Sequence, residues 1–301
     1  MISQFNSFLK IYSKVFGLLA TMLVGALFPQ VHSLSFLIQY LLMGMLFFAF
    51  LDINFKPETF QRSVLWILLA NVGVAFLSYA VLASFDMTLA LTAFMTAIAP
   101  TAIAAPVIIG FIQGKIEYVV TAVLFTNISS AVIIPLTLPF LLGAEVQISV
   151  WEVLQPVLIV MFVPLILARL VSHLPPRTQK TIRKGKQFSF PIWLVNLFII
   201  TANASNFLRN ENSDSTFTLV TIALISLALC IVNFGVGALL GGRRNWQEAS
   251  QSLGQKNLSF VIWIALTFIN PLVAMGPTFY ILYHHLYNSW SICQFEKRRS
   301  I

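Results

Sequence analysis

An amine stands deep in an apolar stretch of this chain. Residues 250–257 read Ser250-Gln251-Ser252-Leu253-Gly254-Gln255-Lys256-Asn257, in a segment otherwise apolar to Ile269. Lys256 lies twelve residues past Arg244. At about 1.5 Å per helical residue that is about 18 Å along the axis, too far for easy snorkelling. A charge at such a depth in a bilayer costs at least about 2.5–3.5 kcal/mol. Three roles are open to it: a site for a substrate anion or a proton, a fixed internal cation bridging neighbouring segments, or a surface lysine whose stem snorkels. Gln255 and Asn257 flank it with amides. Ser252 stands four residues before it, so on an unbroken helix a Ser–Lys dyad is sterically conceivable.

A second stretch reads Ala99-Pro100-Thr101-Ala102-Ile103-Ala104-Ala105-Pro106. Each proline removes a backbone donor and clashes with the preceding turn. Pro100 and Pro106, so close together, predict an unwound stretch, and Gly254 marks the corresponding break in the first motif. Thr126-Asn127-Ile128-Ser129-Ser130 is a third polar patch. Asn127, Ser129 and Ser130 divide between binding and helix-to-helix packing. Asn71, Asn196, Asn203 and Asn233 are single amides in apolar runs and read as packing. His284 and His285 are adjacent, so on a helix they diverge by about 100° and share no face. With no Cys or carboxylate beside them, no metal site and no cofactor is expected. Cys230 and Cys293 make no disulfide framework.

The elements that position these groups follow from composition. Of 301 residues, 58% are hydrophobic and 9% charged, with a mean hydropathy of +0.87. A soluble domain carries about 25% charged residues. Disorder, a coiled coil and a nucleic-acid binder are excluded, and the partner implied is the lipid bilayer. Ten runs are long enough to cross hydrocarbon as helices: roughly 11–29, 34–53, 62–85, 87–113, 116–142, 150–172, 187–208, 216–241, 246–270 and 272–293. Lys10 precedes the first and Lys14 stands at its start, and Val31-His32-Ser33 faintly resembles a signal cleavage site.

Placing the N-terminus inside puts 16 of the 18 Lys and Arg on that side, among them Lys10, Lys14, Lys56, Lys115 and the cluster in 177–186. Only Arg209 falls outside and only Lys256 within a span. The net charge of +8 is therefore a topology signal. It predicts a multi-pass protein of a cell membrane, a bacterial inner membrane being the best fit, with both termini cytoplasmic and 173–186 an inside loop. All ten acids sit in or beside loops, Glu117, Glu152 and Glu248 included, which leaves no carboxylate in the membrane interior. Trp151 and Trp290, near span ends, read as interface anchors.

Five runs fall in residues 1–143 and five in 144–301. Five is odd, so the second half enters from the opposite side, which is the arithmetic of an inverted repeat. The two polar interruptions centre near 103 and 255, each in the fourth run of its half. Interrupted helices at matching places in two halves point to a transporter's midplane site. Unwound backbone in hydrocarbon is tolerated only where it lines a cavity or is buried in protein.

With these motifs the whole chain resembles the bile acid:sodium symporter family, within a wider group that includes arsenite and auxin carriers. The carrying residues are the break around Pro100, the polar patch at Asn127, Ser129 and Ser130, and Gly254-Gln255-Lys256-Asn257. The resemblance implies an all-α membrane fold of ten helices in two inverted repeats. Helices 1, 2, 6 and 7 would form a panel and helices 3–5 and 8–10 a core, with broken helices 4 and 9 crossing in the core.

The departures are chemical. The family's sodium sites use a Glu where this chain has Ser252, a Gln where it has Lys256, and small polar residues where it has Ala105 and Pro106. A sodium ion in low dielectric needs oxygen ligands, preferably one of them negative. An ammonium in its place reverses the sign.

The reading that follows is a secondary transporter of a small organic anion by alternating access. It is a divergent member without sodium dependence, in which Lys256 occupies a former cation position. The amine would be hydrogen-bonded to Asn127, Ser130, Gln255 or a freed carbonyl. Lys256, Asn257, Gln255, Ser252, Asn127, Ser129, Ser130 and Thr101 are the candidate binding residues. A proton is the alternative coupling ion. Rival readings are a sodium-coupled symporter with one remaining ion site, an intramembrane Ser–Lys hydrolase, and a channel.

Overall fold

In hydrocarbon a helix is the means by which an apolar segment satisfies its own backbone. Every regular element of more than an isolated bridge is helical here, among the described residues. The computed structural model describes residues 16–51, 61–143, 148–210 and 215–299; Lys10, Lys14 and Lys56 lie outside them. The chain forms α1 (Phe16–Leu27), a 3-10 turn (Pro29–Leu34), α2 (Leu37–Phe50), α3 (Ser63–Ala83), α4 (Met87–Ile98) and α5 (Ala105–Phe111). It continues through α6 (Ile116–Leu142), α7 (Val150–Val171), α8 (Pro176–Lys184), α9 (Ser189–Asn210), α10 (Ser215–Gly254), α11 (Leu258–Phe268) and α12 (Pro271–Arg299).

Five stretches are long and apolar enough to cross a membrane: α3, α6, α7, the α8–α9 segment and α10. Phe85, Phe140, Phe217 and Leu239 are 82%, 79%, 77% and 81% exposed. Apolar side chains that bare find their solvent in acyl chains. Trp151 and Trp290 are exposed as well. The chain is a multi-pass, all-helical membrane protein.

Two features depart from expectation or refine it. The basic 173–186 segment is a short exposed helix, α8, closed by a 3-10 turn at Gly185–Phe188. Pro176 pre-sets its first turn, and Arg183 and Lys184 complement the dipole at its last. The second is α10, in which Gly242 (φ 57°) and Asn245 break the helix and the chain doubles back. A Cβ on Gly237 would lie 2.6 Å from the Ala249 carbonyl oxygen, so the two arms lie backbone to backbone. That turn falls between the runs read as 216–241 and 246–270.

Packing sorts the helices. α2 lies against α7 and α9, and the Ala26 carbonyl in α1 accepts hydrogen bonds from Ser205 and Arg209 of α9. α3, α4, α5, α6, α10, α11 and α12 pack among themselves. The two groups meet where α6 touches α7, α9 touches α12 and α2 touches α11.

Glu248 lies close to the α10 turn, yet it is only 5% exposed. Its carboxylate accepts the backbone N–H of Lys115 at 2.8 Å, at the start of α6. The Lys115 ammonium bonds the Asn245 amide oxygen at 2.6 Å, and the Asn245 amide donates to Gln61 at 2.9 Å. Glu248 and Asn245 together fasten the α10 turn to the heads of α6 and α3. Glu248→Ala leaves a buried N–H without an acceptor. It is expected to lower stability by about 1–3 kcal/mol, read as an earlier thermal denaturation of the detergent-solubilised protein.

Candidate functional site

α4 ends at Ile98 because Pro100 can neither donate to the helix nor fit the preceding turn. The chain runs unwound from Ala99 to Ala104 and resumes as α5. Pro106 is not part of the break: it is the second residue of α5, in the first turn, where a missing N–H costs nothing. The other interruption spans Gln255–Asn257, between α10 and α11.

The two interruptions cross and pair. Thr101 and Lys256 form an antiparallel bridge. Ala102 N–H donates to the Gln255 carbonyl at 2.8 Å, and Asn257 N–H donates to the Pro100 carbonyl at 2.7 Å. Backbone groups that lost their helix partners find them in the opposite strand of the crossing.

Side chains satisfy most of the rest. Thr101 N–H donates to Thr126 Oγ1 at 3.0 Å, and Thr101 Oγ1 donates to the Ser252 carbonyl at 2.5 Å. The Asn127 amide donates to the carbonyls of Thr101 (3.0 Å) and Val123 (2.8 Å). Ile98 O accepts from Ser130 Oγ at 3.0 Å and from the Asn71 amide at 3.1 Å. The Tyr280 hydroxyl donates to the Gly254 carbonyl at 2.8 Å. Gly254 itself must be glycine, since a Cβ there would lie 2.3 Å from the Phe234 ring.

Lys256 is 2% exposed. Its Nζ donates to Asn71 Oδ1 at 2.5 Å and to the Ala97 carbonyl at 2.7 Å. The Ala97 carbonyl lies in the last turn of α4. It is free because Thr101 N–H, its helical partner, is drawn away by Thr126. A freed carbonyl is therefore a true partner of the amine, whereas Asn127, Ser130 and Gln255 are not. Asn71, read from sequence as packing, supplies the other oxygen. Its one signal was an amide alone in an apolar run. Thr126 was read only as the first residue of the third polar patch, and Tyr280 carried no signal in the sequence.

The remaining candidates sort as follows. Asn257 is half-buried, and its side-chain amide makes a loose 3.5 Å contact to Asn127 Oδ1. Gln255 Oε1 is buried with no hydrogen-bond partner. Ser252 donates its hydroxyl to the Glu248 carbonyl at 2.8 Å, along its own helix. Because the chain is non-helical at 255–257, the four-residue spacing does not bring Ser252 onto the amine, and no Ser–Lys pair is assembled. Ser129, half-buried, takes no part in the crossing network. Asn127 also lines a cavity of about 30 Å³ with Phe50, Ile128, Met161, Phe162 and Leu165, between α2, α6 and α7. That volume suits one or two waters, not an organic substrate.

Chemically, the crossing offers a buried amine, amides, hydroxyls and freed backbone groups. The nearest carboxylate along the chain, Glu248, lies eight residues before Lys256 and is engaged by Lys115.

No family model matches the chain. It is similar to an uncharacterized protein of Bacillus subtilis (strain 168), YbaS, with 23% identity over 198 residues, 64% of each chain. The chain thus spans just under two thirds of that relative's length.

Asn71→Leu strips the ammonium of one of its two oxygens. It is expected to cost about 1–3 kcal/mol, and more if the charge stays uncompensated. Lys256→Met in the same background should recover part of that loss. Denaturation midpoints of the two single variants and the double variant give the coupling directly.

Proposed function

We propose that this protein is a secondary transporter of a small organic anion, working by alternating access, and that it resembles bile acid:sodium symporters with the Lys256 amine standing where they hold sodium. One observation carries the reading. Two interrupted helices cross in the buried interior, and the ammonium beside the crossing is held by an amide oxygen and a freed carbonyl oxygen. Those are the ligand types a sodium ion takes. A sodium ion about 4 Å from that ammonium would meet about 4 kcal/mol of repulsion at an effective dielectric of 20. The fixed charge makes the bound ion unnecessary at that position.

The same reading accounts for the packing. Ten spans in two inverted five-helix repeats would place α4 with α5, and the last arm of α10 with α11, as the fourth span of each half. On this reading the α2, α7 and α9 group would be the panel and the helices around the crossing the core, a division the helix packing is compatible with. The small cavity at Asn127 lies where the two groups meet. Sliding one group against the other would widen it and turn Asn127, Asn257 and the unpaired Gln255 oxygen toward a substrate. The protein belongs on this reading in a cell inner membrane, with both termini cytoplasmic.

Uptake of anions into proteoliposomes is expected to be the same in sodium and in potassium, and strict sodium dependence would refute the substitution of amine for ion. Lys256→Ala should insert normally and lose transport. Ser252→Glu combined with Lys256→Gln restores the family's residue types at both positions and should make uptake require sodium. A thermal-shift screen of anions with and without sodium identifies the substrate, since a ligand stabilises the fold it binds.

A further inference from the structure

Three polar residues of α12 recur every fourth position: Tyr280, His284 and Asn288. They share one face and span about 12 Å at 1.5 Å per residue. They are 0%, 4% and 3% exposed. The file faces α10. At one end the Tyr280 hydroxyl donates to Gly254 O and receives the Asn233 amide at 3.4 Å. At the other, the Gln251 amide donates to Asn288 Oδ1 at 2.9 Å. The Tyr280 and His284 rings lie edge to face between them, with centroids 5.8 Å apart.

Four polar atoms along this seam have no hydrogen-bond partner: Asn233 Oδ1, Gln251 Oε1, His284 Nδ1 and Asn288 Nδ2. Flipping both amides of the Gln251–Asn288 pair reverses their bond and leaves an oxygen and an NH2 over again. Each buried orphan costs about 1–3 kcal/mol, so four in one seam require an occupant. Its chemistry follows from theirs. Two are carbonyl-type acceptors, one is a donor, and the ring nitrogen serves as either. An anion would face the two oxygens, and a cation would face the NH2 group. A molecule that both donates and accepts suits all four, and buried waters make about three such bonds each.

We propose that the seam between α12 and the two arms of α10 holds a file of ordered water, running from the crossing at Gly254 toward Gln251 and Asn288. Gln251 stands three residues past Glu248 on the same arm, so the file runs in the direction of the Glu248 cluster. The crossing is thereby extended toward that cluster by a line of solvent lying apart from the cavity at Asn127. This inference does not depend on the transported substrate.

Radiolytic hydroxyl-radical footprinting of the full chain in lipid nanodiscs tests it, because radicals form on bound water and oxidise the side chains beside it. Corrected for intrinsic reactivity, Tyr280 and His284 should be oxidised severalfold faster than Phe94 and Phe260, which are fully buried in apolar packing. Rates no higher than those of the two phenylalanines overturn the proposal. Gln251→Leu with Asn288→Leu should lower labelling at His284 while leaving labelling elsewhere unchanged. Undiminished labelling at His284 in that folded variant also overturns it. Should the variant not fold, the wild-type comparison decides alone.

Discussion

The structure depends on one constraint: a peptide group released from a helix inside a membrane protein must find another partner. Pro100 forces one release and the Gln255–Asn257 segment makes another. Each answers the other through two backbone hydrogen bonds and an antiparallel bridge. What remains is met by hydroxyls and amides brought in on α3, α6 and α12. Thr126, Asn127, Ser130, Asn71 and Tyr280 each bind a backbone group at or beside a break. Their positions are set by the need to close an open backbone as much as by any ligand.

Lys256 is the exception, since it arrives with a charge. Its two oxygen partners are neutral, and charge-assisted bonds to neutral acceptors only partly replace lost hydration. The buried acid nearest along the chain, Glu248, is engaged by the Lys115 backbone at the head of α6. The amine so placed spends two N–H donors on these oxygens, and a third is present when it is protonated.

The sequence made much of this legible. Apolar run lengths located the helices, the α10 turn fell between two runs, and the prolines and the polar octet located both interruptions. The buried amine was visible from spacing alone. The rest was hidden for physical reasons. Asn71 is separated from Lys256 by 185 residues, and only the packed helices bring them together. Pro106 is chemically a helix breaker, yet in a first turn it starts a helix, and the distinction depends on where the preceding unwound stretch ends. The basic segment after Ser172 looked like a loop because it carries no apolar run, but a proline start and basic end suffice for the short exposed α8. Glu248 was assigned to a loop by its place in the chain. Its burial follows from the α10 turn folding back on α6.

The antiparallel joint at Thr101 and Lys256 has a further consequence. Its two closing bonds run between main-chain atoms, so they ask nothing of residue type beyond leaving room for them. Identity at 255, 256 and 257 can therefore change without unfastening the knot. The architecture separates the joint, written in peptide groups that every sequence supplies, from the chemistry offered beside it, written in the few side chains threaded through it. Such a joint can hold a different set of side chains without losing its backbone fastening.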